Sequence, residues 1–177
     1  MNNKELFIGI LSGTSMDSID CGIFDFSGNK QEMIGFLEND FPKNLKKEIK
    51  KEYSNLVIDS NEHYLNKEIS LIFSKYIKKI IAKSKIEIDE INSIGMHGQT
   101  ISHGEKNGKY FSIQIGCPKT LSINTQINVV SDFRQTDIEN GGQGAPLAPL
   151  YHEFLFKNHS INRGILNIGG IANISII

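Results

Sequence analysis

The chain has no tryptophan, only four prolines and two cysteines, and a net charge of -1 over its 177 residues. Each scarcity excludes something. Cys21 and Cys117 stand far apart and match no zinc-ligand or redox spacing, so they read as buried or half-buried thiols in a reducing compartment. A net charge of -1 leaves no electrostatic footprint for nucleic acid or an anionic membrane. No apolar run approaches the about 20 residues that a membrane helix needs. The opening MNNKELFIGI lacks the basic start, long apolar core and small-residue cleavage site of a signal peptide. These absences together predict a soluble, cytoplasmic protein. Arginine is scarce too: of 19 basic residues only Arg134 and Arg163 are arginine, so either is more informative than any lysine.

What is present suits one globular domain, with 39% hydrophobic and 22% charged residues on a chain long enough for a proper core. Residues 6–11 (LFIGIL) and 19–26 (IDCGIFDF) read as strands, and a third follows the Gly28-Asn29 turn signal and ends before Phe41-Pro42. That is a three-strand meander. Residues 43–53 form a short polar helix with Leu45 and Ile49 at helical spacing. Asn61 is placed to cap a longer helix, with Leu65, Ile69, Ile72, Phe73, Tyr76 and Ile80 as its apolar stripe. Residues 91–98 read as a strand running out into a glycine, followed by a hairpin to 110–116. Pro118 opens a short helix, 127–133 is a further strand, and a glycine-rich loop at 140–146 leads into a helix over 147–157. The chain closes on RGILNIGGIANISII, inside an apolar strand and without a polar tail, which gives it the look of a cut chain. Strands, then helices, then strands predict an α/β sandwich around a mixed sheet.

The chemistry should lie in loops at strand ends, where small and polar residues gather. In GTSMDSID (13–20), Gly13 lets the backbone approach a ligand, and Thr14 and Ser15 can donate to phosphate oxygens. Asp17 or Asp20 could hold the water shell of a magnesium ion. An ordinary hairpin capped by Ser and Asp explains the same residues structurally. The stretch is not a Walker loop, since no Gly-Lys-Ser/Thr follows. In MHGQT, His97, Gln99 and Thr100 suit sugar hydroxyls, although a lone histidine is more often structural. SDFRQTD brings together Asp132, Arg134 and Asp137, which suit hydroxyls or a carboxylate, or else an internal ion pair. GGQGAPL offers Gln143, Gly144 and Ala145 at a helix start. NIGGIAN offers Gly169 and Gly170 as a second backbone clip, or as a β-bulge. GTSM and HGQT also resemble segments of subtilisin-like proteases. There, however, the serine comes last and opens a helix, whereas Ser15 precedes His97 and leads into a β pattern.

Taken in order, GILSGTSMDSID, IGMHGQTISH, FSIQIG, VVSDFRQTDIENGGQGAPLAPLYHEFLF and LNIGGIANIS resemble the bacterial anhydro-N-acetylmuramic acid kinases. The blocks run from near residue 6 to the end, with a divergent stretch around 30–90. The resemblance implies a ribonuclease-H-like lobe of the actin, Hsp70 and hexokinase superfamily. It also implies ATP and Mg2+ as cofactors and 1,6-anhydro-N-acetylmuramic acid as the amino-sugar substrate. The sugar would be phosphorylated on its 6-oxygen while water opens the anhydro ring, in the recycling of cell-wall sugar. On that reading Gly13, Thr14, Ser15, Met16, Asp17, Ser18, Ile19, Asp20, Gly169 and Gly170 face the nucleotide, and Asp17 and Asp20 face magnesium through water. His97, Gln99, Thr100, Asp132, Arg134, Asp137, Gln143, Gly144 and Ala145 would hold the sugar.

Two departures from the family pattern stand out. Ser18 replaces a glycine usual after the aspartate of the phosphate turn. The aspartate base of the family lies in an F-D-x-G-P-G-N segment past the NIGGxxN block, and family members are about twice as long. The sequence in hand runs only to Ile177, before that segment, so no catalytic residue is expected within it. The expectation is therefore a first lobe, 1–177, lacking the base and inactive alone, from a parent that tends to be a dimer. Two other readings remain open: a non-catalytic actin-like lobe that binds a partner chain, and another sugar kinase of the same superfamily.

Overall fold

The computed structural model describes residues 5–28, 31–54, 63–158, 160–168 and 172–177. Three antiparallel strands open the chain: β1 (Leu6–Ser12), β2 (Ser18–Asp25) and β3 (Glu32–Asp40). Alternation along β1 puts Leu6, Ile8, Ile10 and Ser12 on a buried face, matched by Ile19, Cys21 and Ile23 of β2. Helix α1 (Lys43–Lys51) turns Leu45 and Ile49 inward, as their spacing predicts.

Helix α2 (Tyr64–Ser84) lies against β1, β2 and β3 and closes the main core. Its cap is His63, whose Nδ1 accepts from the Leu65 amide at 3.4 Å. Asn61, the expected cap, lies outside the described residues. The buried stripe of α2 also sits slightly further round than expected. It takes in Ile77 and Ile81 and leaves Ile72 and Tyr76 partly covered at its border. Lys85 ends the helix in the left-handed conformation.

A short 3-10 turn, Ile88–Glu90, feeds β4 (Ile91–Lys106), the longest strand. The strand expected to stop at Gly98 instead runs through it and changes partners. β4 pairs in parallel with β1 up to Gln99, and from Gln99 onward pairs antiparallel with β5 (Lys109–Ile115). Helix α3 (Pro118–Thr125) packs on α2.

The strand expected over 127–133 is much shorter: β6 is Val129–Val130. It meets β4 at Ile94 and Gly95, on the edge that β5 occupies further along, so only a short length of that edge is open to it. The backbone then turns at Asp132 (φ 63°) into helix α4 (Phe133–Glu139). The sheet order is β3-β2-β1-β4-β5, with β6 beside β4. This is the mixed sheet flanked by helices that the sequence predicts.

Helix α5 (Ala148–Phe156) has no buried residue. Residues 164–176 are not one bulged strand. β7 (Gly164–Ile168) and β8 (Ala172–Ile176) pair on each other as a separate two-stranded sheet. The pairing extends one residue further, to Ile177. Its amide donates to the Arg163 carbonyl at 2.9 Å, and its carbonyl accepts from the Arg163 amide at 2.8 Å. The apolar residues of the hairpin pair across it rather than joining the main core: Leu166, Ile168, Ile174 and Ile176 are all exposed. Among the described residues, no helix is long and apolar enough to cross a membrane.

Candidate active site

Parallel pairing puts the carboxyl end of β1 beside Gln99, in the middle of β4, where β4 leaves β1 for β5. The turn 13–17 leaves the end of β1. Gly13, Thr14, Ser15 and Asp17 are exposed there, while Met16 takes a positive φ of 53° and donates its amide to the Gly13 carbonyl at 3.0 Å. The turn is anchored to its surroundings by the Phe41 amide, which donates to the Asp17 carbonyl at 3.0 Å.

The two aspartates of this stretch differ in setting. Asp17 accepts from Lys46 Nζ at 3.0 Å. Hydrogen bonds from Lys46 and from Ser15 hold its carboxyl below the usual carboxylate range. Asp20 lies on β2 opposite Leu11 and accepts from Ser18 Oγ at 3.1 Å. Among the described residues no group of three or more His, Cys, Asp or Glu side chains is gathered for a metal. The donor set therefore fits a hard cation carried mainly on phosphates and touched by one carboxylate through water, as magnesium commonly is. Asp20 is the freer candidate, because Asp17 is engaged by Lys46.

Midway along β4 a small cleft is lined by His97, Gln114, Ser131, Asp132, Phe133 and Arg134, with Met96, Gly98 and Gly116. Of the residues expected to hold sugar, His97, Asp132 and Arg134 meet here. Burial, and then the neighbouring Arg134 charge, push the His97 pKa down to about 4, so its ring is neutral at ordinary pH. Its Nε2 lies 3.4 Å from Thr100 Oγ1, which also receives Gln114 Nε2 at 3.3 Å. Arg134 is half-buried, and desolvation lowers its pKa. Among the described residues it makes no ion pair with a carboxylate. The internal ion pair considered for this segment is therefore not formed there. Asp132 is exposed and accepts from Ser131 Oγ at 2.8 Å.

The glycine-rich loop folds back on α4. Asp137 Oδ2 accepts from the Gly144 amide at 2.7 Å, and the Asp137 carbonyl accepts from the Gly142 amide at 2.8 Å. A Cβ on Gly144 would stand 2.8 Å from Ile138 and 3.3 Å from the Arg134 carbonyl, so this loop needs glycine at a φ of 76°. Gln143 is exposed and Ala145 half-buried, followed by a cis Ala145–Pro146 bond. Gln99 is not in the cleft: it is fully buried beside Ser12. Gly169 and Gly170 lie outside the described residues. Ile177, the residue beyond which the family's base is expected, belongs to the separate hairpin and is paired to Arg163.

Sequence reasoning passed over Gln114, Phe133 and Ser131, which line the same cleft. Gln114 carried a signal in hindsight, standing two residues before Gly116 at a strand end. Phe133 did not, since 127–133 has the composition of a strand and the helix that presents Phe133 begins at its last residue. The two thiols sit apart from the cleft. Cys21 is in the core, where burial pushes it up to about 12. At Cys117 burial raises the pKa, but hydrogen bonds from Thr120 and Lys119 together outweigh that and lower it.

Comparison with known proteins identifies the family. A family model for anhydro-N-acetylmuramic acid kinase matches residues 5–177. A curated anhydro-N-acetylmuramic acid kinase from Shewanella oneidensis is 39% identical over 180 residues, covering 99% of this chain and 48% of the relative. One from Sulfurovum sp. is 40% identical over 176 residues, covering 99% of this chain and 49% of the relative. The chain spans about half the length of the curated relatives it matches. Colinear motifs, a mixed sheet and a family match along nearly every residue lead to one conclusion: the chain belongs to the anhydro-N-acetylmuramic acid kinase family, sugar kinases with the fold shared by actin, Hsp70 and hexokinase.

Proposed function

We propose that residues 1–177 are the first lobe of an ATP-dependent kinase acting on 1,6-anhydro-N-acetylmuramic acid. The reading rests most heavily on one observation: the 13–17 turn leaves β1 beside Gln99, two residues along β4 from His97 of the cleft that Arg134 also lines. Phosphoryl transfer is mostly positioning and charge neutralisation, and a bare turn of exposed small residues suits phosphate oxygens. Magnesium, where bound, neutralises charge on the transferring phosphoryl group. Asp20, and less directly Asp17, are the carboxylates that would hold its water shell.

The sugar side uses the cleft. Arg134, a half-buried cation without a carboxylate partner among the described residues, suits the lactyl carboxylate of the muramic acid. Neutral His97 offers one donor and one acceptor to hydroxyls, and Thr100 and Asp132 stand beside it. In the reaction water attacks the anomeric carbon and gives its proton to a carboxylate base, which the family resemblance puts past Ile177. The C1–O bond of the bridge breaks, and the released 6-oxygen takes the γ-phosphoryl group of ATP, leaving ADP. The product is N-acetylmuramic acid 6-phosphate, a step in cell-wall sugar recycling.

The test is turnover by the full-length protein with ATP and the anhydro sugar in 18O-labelled water. The expected product carries one 18O at the anomeric carbon and phosphate on the 6-oxygen. Phosphorylation of N-acetylglucosamine without any of the anhydro sugar would point to another sugar kinase. No turnover of either, with a companion chain bound, would favour the partner-binding lobe.

A further inference from the structure

Gln99 is one of the few polar side chains with no exposed surface, and both ends of its amide are in use. Its Oε1 accepts from Ser12 Oγ at 2.6 Å, while Nε2 donates to the Gly13 carbonyl at 3.2 Å and the Thr100 carbonyl at 2.9 Å. Both N–H donors of the amide are spent and its carbonyl is engaged, so a sealed side chain has nothing left to offer a ligand.

Its orientation follows from a break in register. Ile10 pairs with Met96 but Leu11 pairs with Gly98, so His97 is the extra residue of a bulge. Without the bulge His97 and Gln99 would share a face. With it, His97 opens to the cleft and Gln99 enters the core opposite Ser12. Gly98 makes this feasible at a φ of 79°, and a Cβ there would stand 2.7 Å from the Ile115 carbonyl.

We propose that Gln99 is a positioning residue: its buried amide holds the 13–17 turn in register with the cleft, instead of touching the sugar. The assignment rests on the kinase reading above and sharpens it. One side chain ties the end of β1, the first residue of the phosphate turn and Thr100, the buried neighbour of His97. A shift of that turn therefore misplaces the nucleotide phosphates relative to the sugar oxygen, and misplacement of about 1 Å is enough to cost a large factor in rate.

The test uses the full-length protein with Gln99→Leu, Gln99→Glu, Ser12→Ala and the Ser12→Ala/Gln99→Leu pair. Affinity for the anhydro sugar and for ATP is measured separately by calorimetry, alongside kcat and both KM values. Gln99→Leu and Gln99→Glu should weaken ATP or lower kcat at least tenfold while sugar affinity changes less than threefold. Ser12→Ala should act in the same direction but less, and should add little to Gln99→Leu, because both act on one bracket. A tenfold loss of sugar affinity with ATP parameters unchanged would overturn the proposal, as would full additivity of the pair. Should Gln99→Leu fail to fold, Ser12→Ala and Gln99→Glu decide by the same split. Wild-type protein that binds ATP but does not turn over the anhydro sugar would sink the kinase reading. The calorimetric ATP data would still report on Gln99.

Discussion

The two loops assigned to the ligands are held by different means. The 13–17 turn hangs on Gln99, a neutral amide sealed in the core with three hydrogen bonds. The 140–146 loop hangs on Asp137, a half-buried carboxylate at the surface that takes the Gly144 amide at 2.7 Å. Inside the core no water can replace a lost partner, so each deleted bond leaves an unsatisfied group. Both loop bonds are part-buried, but Asp137 itself is only half-buried, so water can replace more of what it loses than it can for the sealed Gln99. The difference suits the division of labour proposed above: the turn assigned to phosphates is held rigidly, whereas the loop assigned to the sugar is held by a bracket that solvent can compete for.

The sharpest way to break the comparison is at Gly98. Gly98→Ala adds a Cβ 2.7 Å from the Ile115 carbonyl at a positive φ, and should cost about 3 kcal/mol in urea unfolding. Gln99→Leu comes next, with about 2 kcal/mol lost from buried groups left unpaired. Asp137→Ala should cost only about 1 kcal/mol. Its clearer readout is faster limited proteolysis within 140–144, with the 13–17 turn unaffected. Equal losses for Gln99→Leu and Asp137→Ala would erase the contrast.

A smaller effect is read as a slope. His97 has its pKa depressed from 6.5 to about 4, so its contribution to stability is complete above pH 6.5 and is lost as pH falls toward 4. His97→Gln should flatten the pH dependence of the unfolding midpoint within that window, and an unchanged slope would contradict the burial assigned to the ring. Smallest of all is Lys46→Ala. It removes the exposed pair with Asp17 and should leave the midpoint unchanged, because such pairs contribute little. A clear loss there would mean that the turn depends on its surface as much as on Gln99.

Much of the architecture was legible because it rests on local periodicity. The alternation of β1 and β2, the inward Leu45 and Ile49 of α1 and the long amphipathic α2 all follow from spacing, and the structure has them within a few residues. Of the nine residues expected to hold the sugar, the structure brings His97, Asp132 and Arg134 into one cleft. The orientations of the individual side chains were not legible. Residues 127–133 look like a strand by composition, yet only Val129–Val130 pair, because another strand takes the rest of that edge. Residues 164–176 look like one interrupted strand, yet they pair on themselves.

By itself, then, the sequence determined most element types, the buried faces of β1, β2 and α1 and the loops where small and polar residues gather, because hydrophobic period and turn residues act over a few neighbours. The tertiary structure alone decided that His97 faces the cleft while Gln99, two residues on, is locked in the core. That outcome depends on a one-residue bulge between β1 and β4, strands far apart in the chain, and register between distant strands leaves no mark on either one read alone.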